Sequence, residues 1–172
     1  MWKPIIRCGI VGGVLVFLWY MLSWMVLPMH KGVMNKFAEP SEVTSCITRY
    51  APHDGIYVIP GWEAEPEPGQ PFIMVNIKRG VDFSNTSQMI CGVITNIIAA
   101  GFITYLLLRA KAMKYWNRVW FVTVVGIVVA LVGVVPAWNW WHYPAMWSVL
   151  EMFDILVGWF LGGLVIAKLV KN

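Results

Sequence analysis

The sequence predicts an all-α membrane protein of four transmembrane helices, with a small α+β extracytoplasmic insert between the first and second. Three observations predict it. The stretches Cys8–Leu27, Met89–Leu108 and Val119–Ala137 carry no charged residue, and a fourth, Trp147–Ala167, carries only Glu151 and Asp154. Each is close to the ~20 residues a helix needs to cross ~30 Å of hydrocarbon. The chain is 59% hydrophobic and 13% charged, whereas charged residues make up about 25% of a soluble domain. Basic and acidic residues also segregate to opposite sides of the spans.

That segregation sets the expected topology. Lys3 and Arg7 precede the first span, Arg109, Lys111, Lys114 and Arg118 fill the link after the second, and Lys168 and Lys171 follow the fourth. The segment Met29–Ser87 instead holds five bases and seven acids, and the turn 139–146 has no Lys or Arg. The positive-inside rule places both termini and the basic link 110–117 in the cytoplasm. The net charge of +4 is thereby a topology signal, and nucleic acid is not an expected partner.

The elements follow in order. The first span, 5–29, starts with basic residues as a signal peptide does. Its apolar run is too long for one, and Trp19, Tyr20 and Trp24 stand where a cleavage site needs small residues. It is read as a retained anchor. The insert, 30–86, is part of an interspan stretch of roughly 58 residues, more than a simple connector needs. Pro40-Ser41-Glu42 reads as a helix start, with Ser41 capping and Glu42 favoured by the helix dipole. Pro52 ends that helix. Gly55–Ile59 and Phe72–Ile77 read as strands, being rich in β-branched and aromatic residues between Pro and Gly. A two-stranded hairpin is marginal alone, so it must lean on the helix, the membrane surface or a partner. The remaining spans are 87–109, 118–138 and 147–168, with an aromatic outer turn at 139–146. Trp2, Trp116 and Trp120 suit one membrane interface, and Trp24, Trp138, Trp140, Trp141 and Trp147 the other.

Glu151 and Asp154 are three residues apart and share a helix face. An ionisable group within a span usually points into the bundle. They either pin the outer end of the span by pairing with His30, Lys31 or Arg49, or join His30, His142 and Asn96 in a proton relay or ion site. No HExxH or clustered Cys/His spacing specifies a metal, and no cofactor is expected. Met21, Met25 and Met29 recur every four residues; thioethers suit Cu(I) but also fill gaps between helices, and packing is the expectation. Gly9 with Gly13, and Gly158 with Gly162, have the four-residue spacing that lets helix backbones approach, with the first and fourth spans or a second copy as the expected contact. Trp138, Trp140, Trp141 and Tyr143 form a candidate partner or lipid surface. Of the three cysteines, only Cys46 and Cys91 are expected on the same side.

The strings Ser23-Trp24-Met25-Val26-Leu27-Pro28-Met29-His30, GIYVIPG at 55–61 and PAWNWWHYP at 136–144 resemble a family of small bacterial four-span inner-membrane proteins. The resemblance implies the architecture and the membrane, with no activity and no residue roles. The layout is also similar to that of claudin-like tetraspans, without their outer-loop Trp and paired Cys. With no catalytic signature present, the expected role is a non-enzymatic structural, assembly or accessory subunit of an envelope complex. Its expected partners are membrane lipids and another membrane protein or a second copy. The alternative is a small transporter or channel with a Glu151/Asp154 carboxylate site.

Overall fold

A computed structural model describes residues 2–81, 84–110 and 112–170; Asp82, Lys111 and Lys171, used above as topology charges, lie outside the described residues. In chain order the elements are α1 (Trp2–Met21), a π-helical turn (Leu22–Val26), α2 (Pro40–Tyr50), β1 (Gly55–Ile59), β2 (Ile73–Ile77), α3 (Thr86–Arg109), α4 (Tyr115–Trp140) and α5 (Ala145–Leu169). They form two units, Met1–Val33 with Asn85–Asn172, and Met34–Ser84.

The first unit is a bundle of four helices, α1 with its π turn, α3, α4 and α5, each long and apolar enough to cross a membrane. Ile10, Leu18, Ile98, Phe102, Val128 and Val132 are exposed on its surface. Such a surface suits lipid, where backbone polar groups must be satisfied within the helix. The boundaries differ locally from those expected. The first helix stops at Val26 instead of reaching 29, because Leu27 is extended (φ −75, ψ 141) as a residue before proline prefers to be. The fourth of the long apolar runs starts at Ala145, directly after Pro144, and α4 continues through Trp140. The turn between them is correspondingly shorter than 139–146.

Two faces of α1 organise the bundle. On one, a Cβ added to Gly13 would lie 2.5 Å from the Ile97 backbone, and one on Gly9 would lie 3.1 Å from the Ile97 carbonyl oxygen. These glycines therefore seat α1 on α3. On the other face, a Cβ on Gly12 would lie 2.7 Å from the Ile166 side chain, and one on Gly162 would lie 2.8 Å from Val16. The first and fourth spans thus meet through Gly12, while Gly9 and Gly13 face α3. The helix α4 packs along α5 and touches α3 only slightly. Cys8, Val16, Ala100, Val122, Trp159 and Ile166 lie in the buried core. The buried hydroxyls of Thr104 and Thr123 donate to the carbonyls of Ala100 and Val119 at 2.7 and 2.9 Å, within their own helices. At the end carrying Lys3, Arg109 and Lys168, Arg118 donates to the carbonyls of Ala167 (3.2 Å) and Val170. It thereby caps the carbonyls that α5 leaves open.

The second unit is α2 and the hairpin. Pro40 takes the first helical position, after Glu39, whose side chain makes no capping bond. Ser41 therefore lies inside the helix and does not cap it; proline is favoured at this position because its missing N–H is one of the helix's unpaired donors anyway. The strands β1 and β2 are antiparallel, with Gly55 opposite Ile77, Tyr57 opposite Val75 and Ile59 opposite Ile73. Asp54 ties the base of the hairpin by accepting from Lys78 Nζ at 2.8 Å and from the Arg79 backbone N–H at 3.1 Å. Arg79 also donates to the Ala51 carbonyl at the end of α2.

Candidate functional site

The bundle's two acids lie on α5, and a buried polar cluster forms around one of them. Asp154 is only 2% exposed. Its environment comes almost wholly from α1 and the residues just after it. Ser23, in the π turn, donates its hydroxyl to Asp154 Oδ1 at 2.7 Å. Trp19, a turn earlier, donates its indole N–H to the Asp154 backbone carbonyl at 3.2 Å. The chain then turns at Pro28, with the Gly32 N–H donating to the Pro28 carbonyl at 3.2 Å, and places His30 beside the carboxylate. His30 Nε2 lies 3.3 Å from Asp154 Oδ2, and the residue is 1% exposed.

Local sequence explains why these groups meet. Gly158, one turn beyond Asp154, has no side chain where Trp19, Tyr20 and Val16 pack; a Cβ there would lie 3.3 Å from the Trp19 ring. The π turn takes in an extra residue per turn relative to an α-helix, a feature often found at functional sites, and Ser23 lies within it. His30 is sandwiched by aromatic rings. Trp24 stacks on it with centroids 4.1 Å apart and planes at 21°, while Trp147 meets it edge-on at 6.3 Å and 85°. Trp24 and Trp147, expected as interfacial anchors, thus also wall the imidazole.

The approach of His30 to Asp154 is within ion-pair distance but off the N–H axis. Both imidazole nitrogens and Asp154 Oδ2 lack an aligned hydrogen bond among the described residues, as do the Ser148 hydroxyl and Glu151 Oε1. A carboxylate flanked by a hydroxyl and an imidazole can hold charge and fix geometry. It is not arranged as a serine nucleophile, because the carboxylate lies between Ser23 and His30 and the imidazole is not placed to take the hydroxyl proton.

The other expected site residues fall elsewhere. Glu151 is half-buried one turn before Asp154. His142 is exposed in the α4–α5 turn at φ 53, and the helix from Ala145 to Asp154 already spans about 13 Å. Asn96 donates its side-chain amide to the Gly92 carbonyl at 2.9 Å within α3, and its backbone lies against Gly13 on the opposite face of α1. Asn96 therefore lies away from the cluster, and His142 precedes the start of α5 by three residues. Among the described residues, no three His, Cys, Asp or Glu side chains converge as a metal site. Met25 is exposed, and Cys8, Cys46 and Cys91 are all free thiols. Trp138 and Trp140 are exposed at the end of α4. Trp138 also lines a crevice of about 250 Å³ with Val134, Ser148 and Met152.

Ser23 and Trp19 were not singled out from the sequence. The available signal was Ser23 itself, a small polar residue in an otherwise apolar run, four residues after Trp19. No known family, curated protein or solved structure matches this chain.

Proposed function

We propose that this chain is a non-enzymatic accessory or assembly subunit of a bacterial inner membrane, its basic end in the cytoplasm and its insert outside, engaging another envelope component. The supporting observation is the composition of the second unit. Its helix α2 buries no residue, and Ala51 is its one buried hydrophobic residue among those described. Phe37 and Ile56 meanwhile stand 69% and 67% exposed, with Ile59 and Ile73 exposed opposite each other on the hairpin. Two five-residue strands with no fully buried residue do not make an independently stable sheet, so a second surface completes it. The charge asymmetry supports the orientation. The cluster around Asp154 supports a mechanical role: Ser23, His30 and Trp19 all fasten α1 to α5, and the carboxylate is closed off from solvent.

Site-specific photocrosslinkers at positions 37 and 56, activated in native membranes, test this. One partner captured from both positions, and lost when Ile59 and Ile73 are changed to Ser, is expected. Crosslinks to lipid alone would reject the subunit reading.

A second reading, a small transporter or channel using Glu151 and Asp154, is favoured by one observation. Glu151 Oε1 is buried without a hydrogen-bond partner among the described residues, and ionisable groups inside spans commonly mark ion pathways. Asp154→Asn and Glu151→Gln proteins that fold normally but lose an ion flux would favour transport. Loss of the folded bundle in Asp154→Asn would favour the clasp.

A further inference from the structure

The four basic chain ends of the bundle lie together. The N-terminus of α1 meets the C-terminal half of α3, since Ile5 lies beside Gly101, and the C-terminus of α5 meets the start of α4, since Tyr115 donates to the Leu164 carbonyl. Lys3, Arg7, Arg109, Lys114, Arg118 and Lys168 thus share one end. The bundle unit's acids, Glu151 and Asp154, lie near the start of α5, toward the other end. Arg118 is committed to the carbonyls of α5 and Met113. Arg109 instead lies over the Tyr105 ring, its guanidinium carbon 5.3 Å from the ring centroid, and its side chain is exposed.

A groove of about 560 Å³ opens at this end between α1 and α3, lined by Trp2, Ile5, Ile98, Gly101, Phe102 and Arg109 among others. Its origin is local. A Cβ on Gly9 would lie 3.4 Å from the Gly101 backbone, so the two helices stay close there, whereas a Cβ on Gly101 itself would find only ordinary contact, 3.8 Å from Ile5. The absent side chain at Gly101 leaves the trough open. Ile98 and Phe102, one turn apart on α3, form an exposed apolar wall.

We infer that this groove binds one anionic phospholipid, its acyl chain lying along Ile5, Ile98 and Phe102 and its phosphate on Arg109. Among the described residues the walls are apolar and the one charged lining residue is cationic, and no acid of the bundle lies near. Basic pockets between membrane helices take anionic headgroups in this way. A guanidinium also matches a phosphate with two parallel N–H donors. A zwitterionic lipid fits the same trough but gains no net charge attraction.

The test uses the full-length purified protein, with dioleoyl phosphatidylglycerol and dioleoyl phosphatidylcholine as probes in native mass spectrometry. Phosphatidylglycerol should be retained about fivefold better, the factor expected of one basic residue near an anionic lipid. Arg109→Gln, at an exposed position, should bring the two lipids level. Gly101→Leu should reduce retention of both, because it fills the trough. A second readout does not depend on how Gly101→Leu folds. Phosphatidylglycerol brominated on its acyl chains should quench a fluorescence component that disappears in Trp2→Phe, and this quenching should weaken in Arg109→Gln. Equal retention of the two lipids by the wild type would overturn the inference. So would a preference that survives Arg109→Gln, the absence of Trp2-dependent quenching, or a dimer whose formation excludes both lipids.

Discussion

The bundle and the insert treat their polar and apolar groups in opposite ways. In the bundle, buried groups meet at close range: Gly13 against the Ile97 backbone, Gly12 against Ile166, Asp154 against Ser23 and His30. In the insert, the polar ties lie on the surface, with Lys78 and Arg79 on Asp54, while Phe37 and Ile56 are left uncovered. Membrane helices gain little from hydrophobic burial against each other, since lipid is equally apolar, and depend on packing and hydrogen bonds. A unit outside the membrane depends on burial, and the insert buries little of its own. The partner proposed above rests on this difference.

The largest effect should come from breaking the cluster. Asp154→Ala leaves Ser23 without its acceptor and His30 buried without the carboxylate beside it, and removing one partner of a buried pair costs about 3–5 kcal/mol. Unfolding in detergent should show the loss, with Asp154→Asn milder because its side-chain oxygen still accepts from Ser23. Next comes packing. Gly13→Ala puts a Cβ 2.5 Å from Ile97 backbone atoms and should cost about 1–3 kcal/mol, as overpacking does. Gly133→Ala, with no atom within 4 Å of its added Cβ, should change the same unfolding curve little; equal losses in the two would break the packing account.

Substitutions in the insert should barely move the bundle. Ile56→Ser should shift bundle unfolding by less than about 0.5 kcal/mol, as surface changes do, while removing the photocrosslink at position 37. The smallest effect lies at the hairpin base. The Lys78 ammonium and the Arg79 backbone N–H hold the Asp54 carboxyl below its usual range, and Asp54 in turn raises Lys78. A lowered carboxyl pKa stabilises the folded form above the ordinary aspartate range and loses that contribution as pH falls through the lowered value. Lys78 contributes below the ordinary lysine range and loses its share as pH rises through its raised value. The protection of amides 55–59, with the intrinsic pH dependence of amide exchange divided out, should therefore fall at both acidic and strongly alkaline extremes. A flat profile in Asp54→Asn and a matching flat profile in the wild type would show that the pair does nothing.

The spans were legible because apolar runs with few or no charges and as long as a bilayer is thick seldom arise outside membrane-spanning helices, and four helices long and apolar enough are present among the described residues. The two strands were legible from β-branched residues between Pro and Gly. The detail within the bundle was less so. Gly9, Gly12 and Gly13 lie within a little over one turn, and spacing alone does not say which neighbour each will meet. It took the contacts to α3 and α5 to assign Gly13 to Ile97 and Gly12 to Ile166. The cluster is half visible in the sequence: Asp154 stands out as an acid in a span, and His30, like Lys31 and Arg49, is a base expected on its side of the membrane. Ser23 was hidden because a π turn shifts the register of the face it belongs to, and that turn leaves no clear mark in Leu22–Val26. Apparent depth groups Asn96 with Asp154 but ignores the side of the helix that Asn96 occupies, against Gly13 on the far face of α1.

The contrast between the two units is tested most directly by hydrogen exchange, comparing the purified chain with the same chain in the assembly proposed for it, gently extracted from native membranes. In the purified chain, amides of β1 and β2 should exchange orders of magnitude faster than those of α1 and α5 facing each other, because local opening of the insert costs little. In the assembly the strand amides should become protected while the bundle is unchanged. Strand amides as protected in the purified chain as those of the bundle would contradict the account, since the insert would then be stable without a partner.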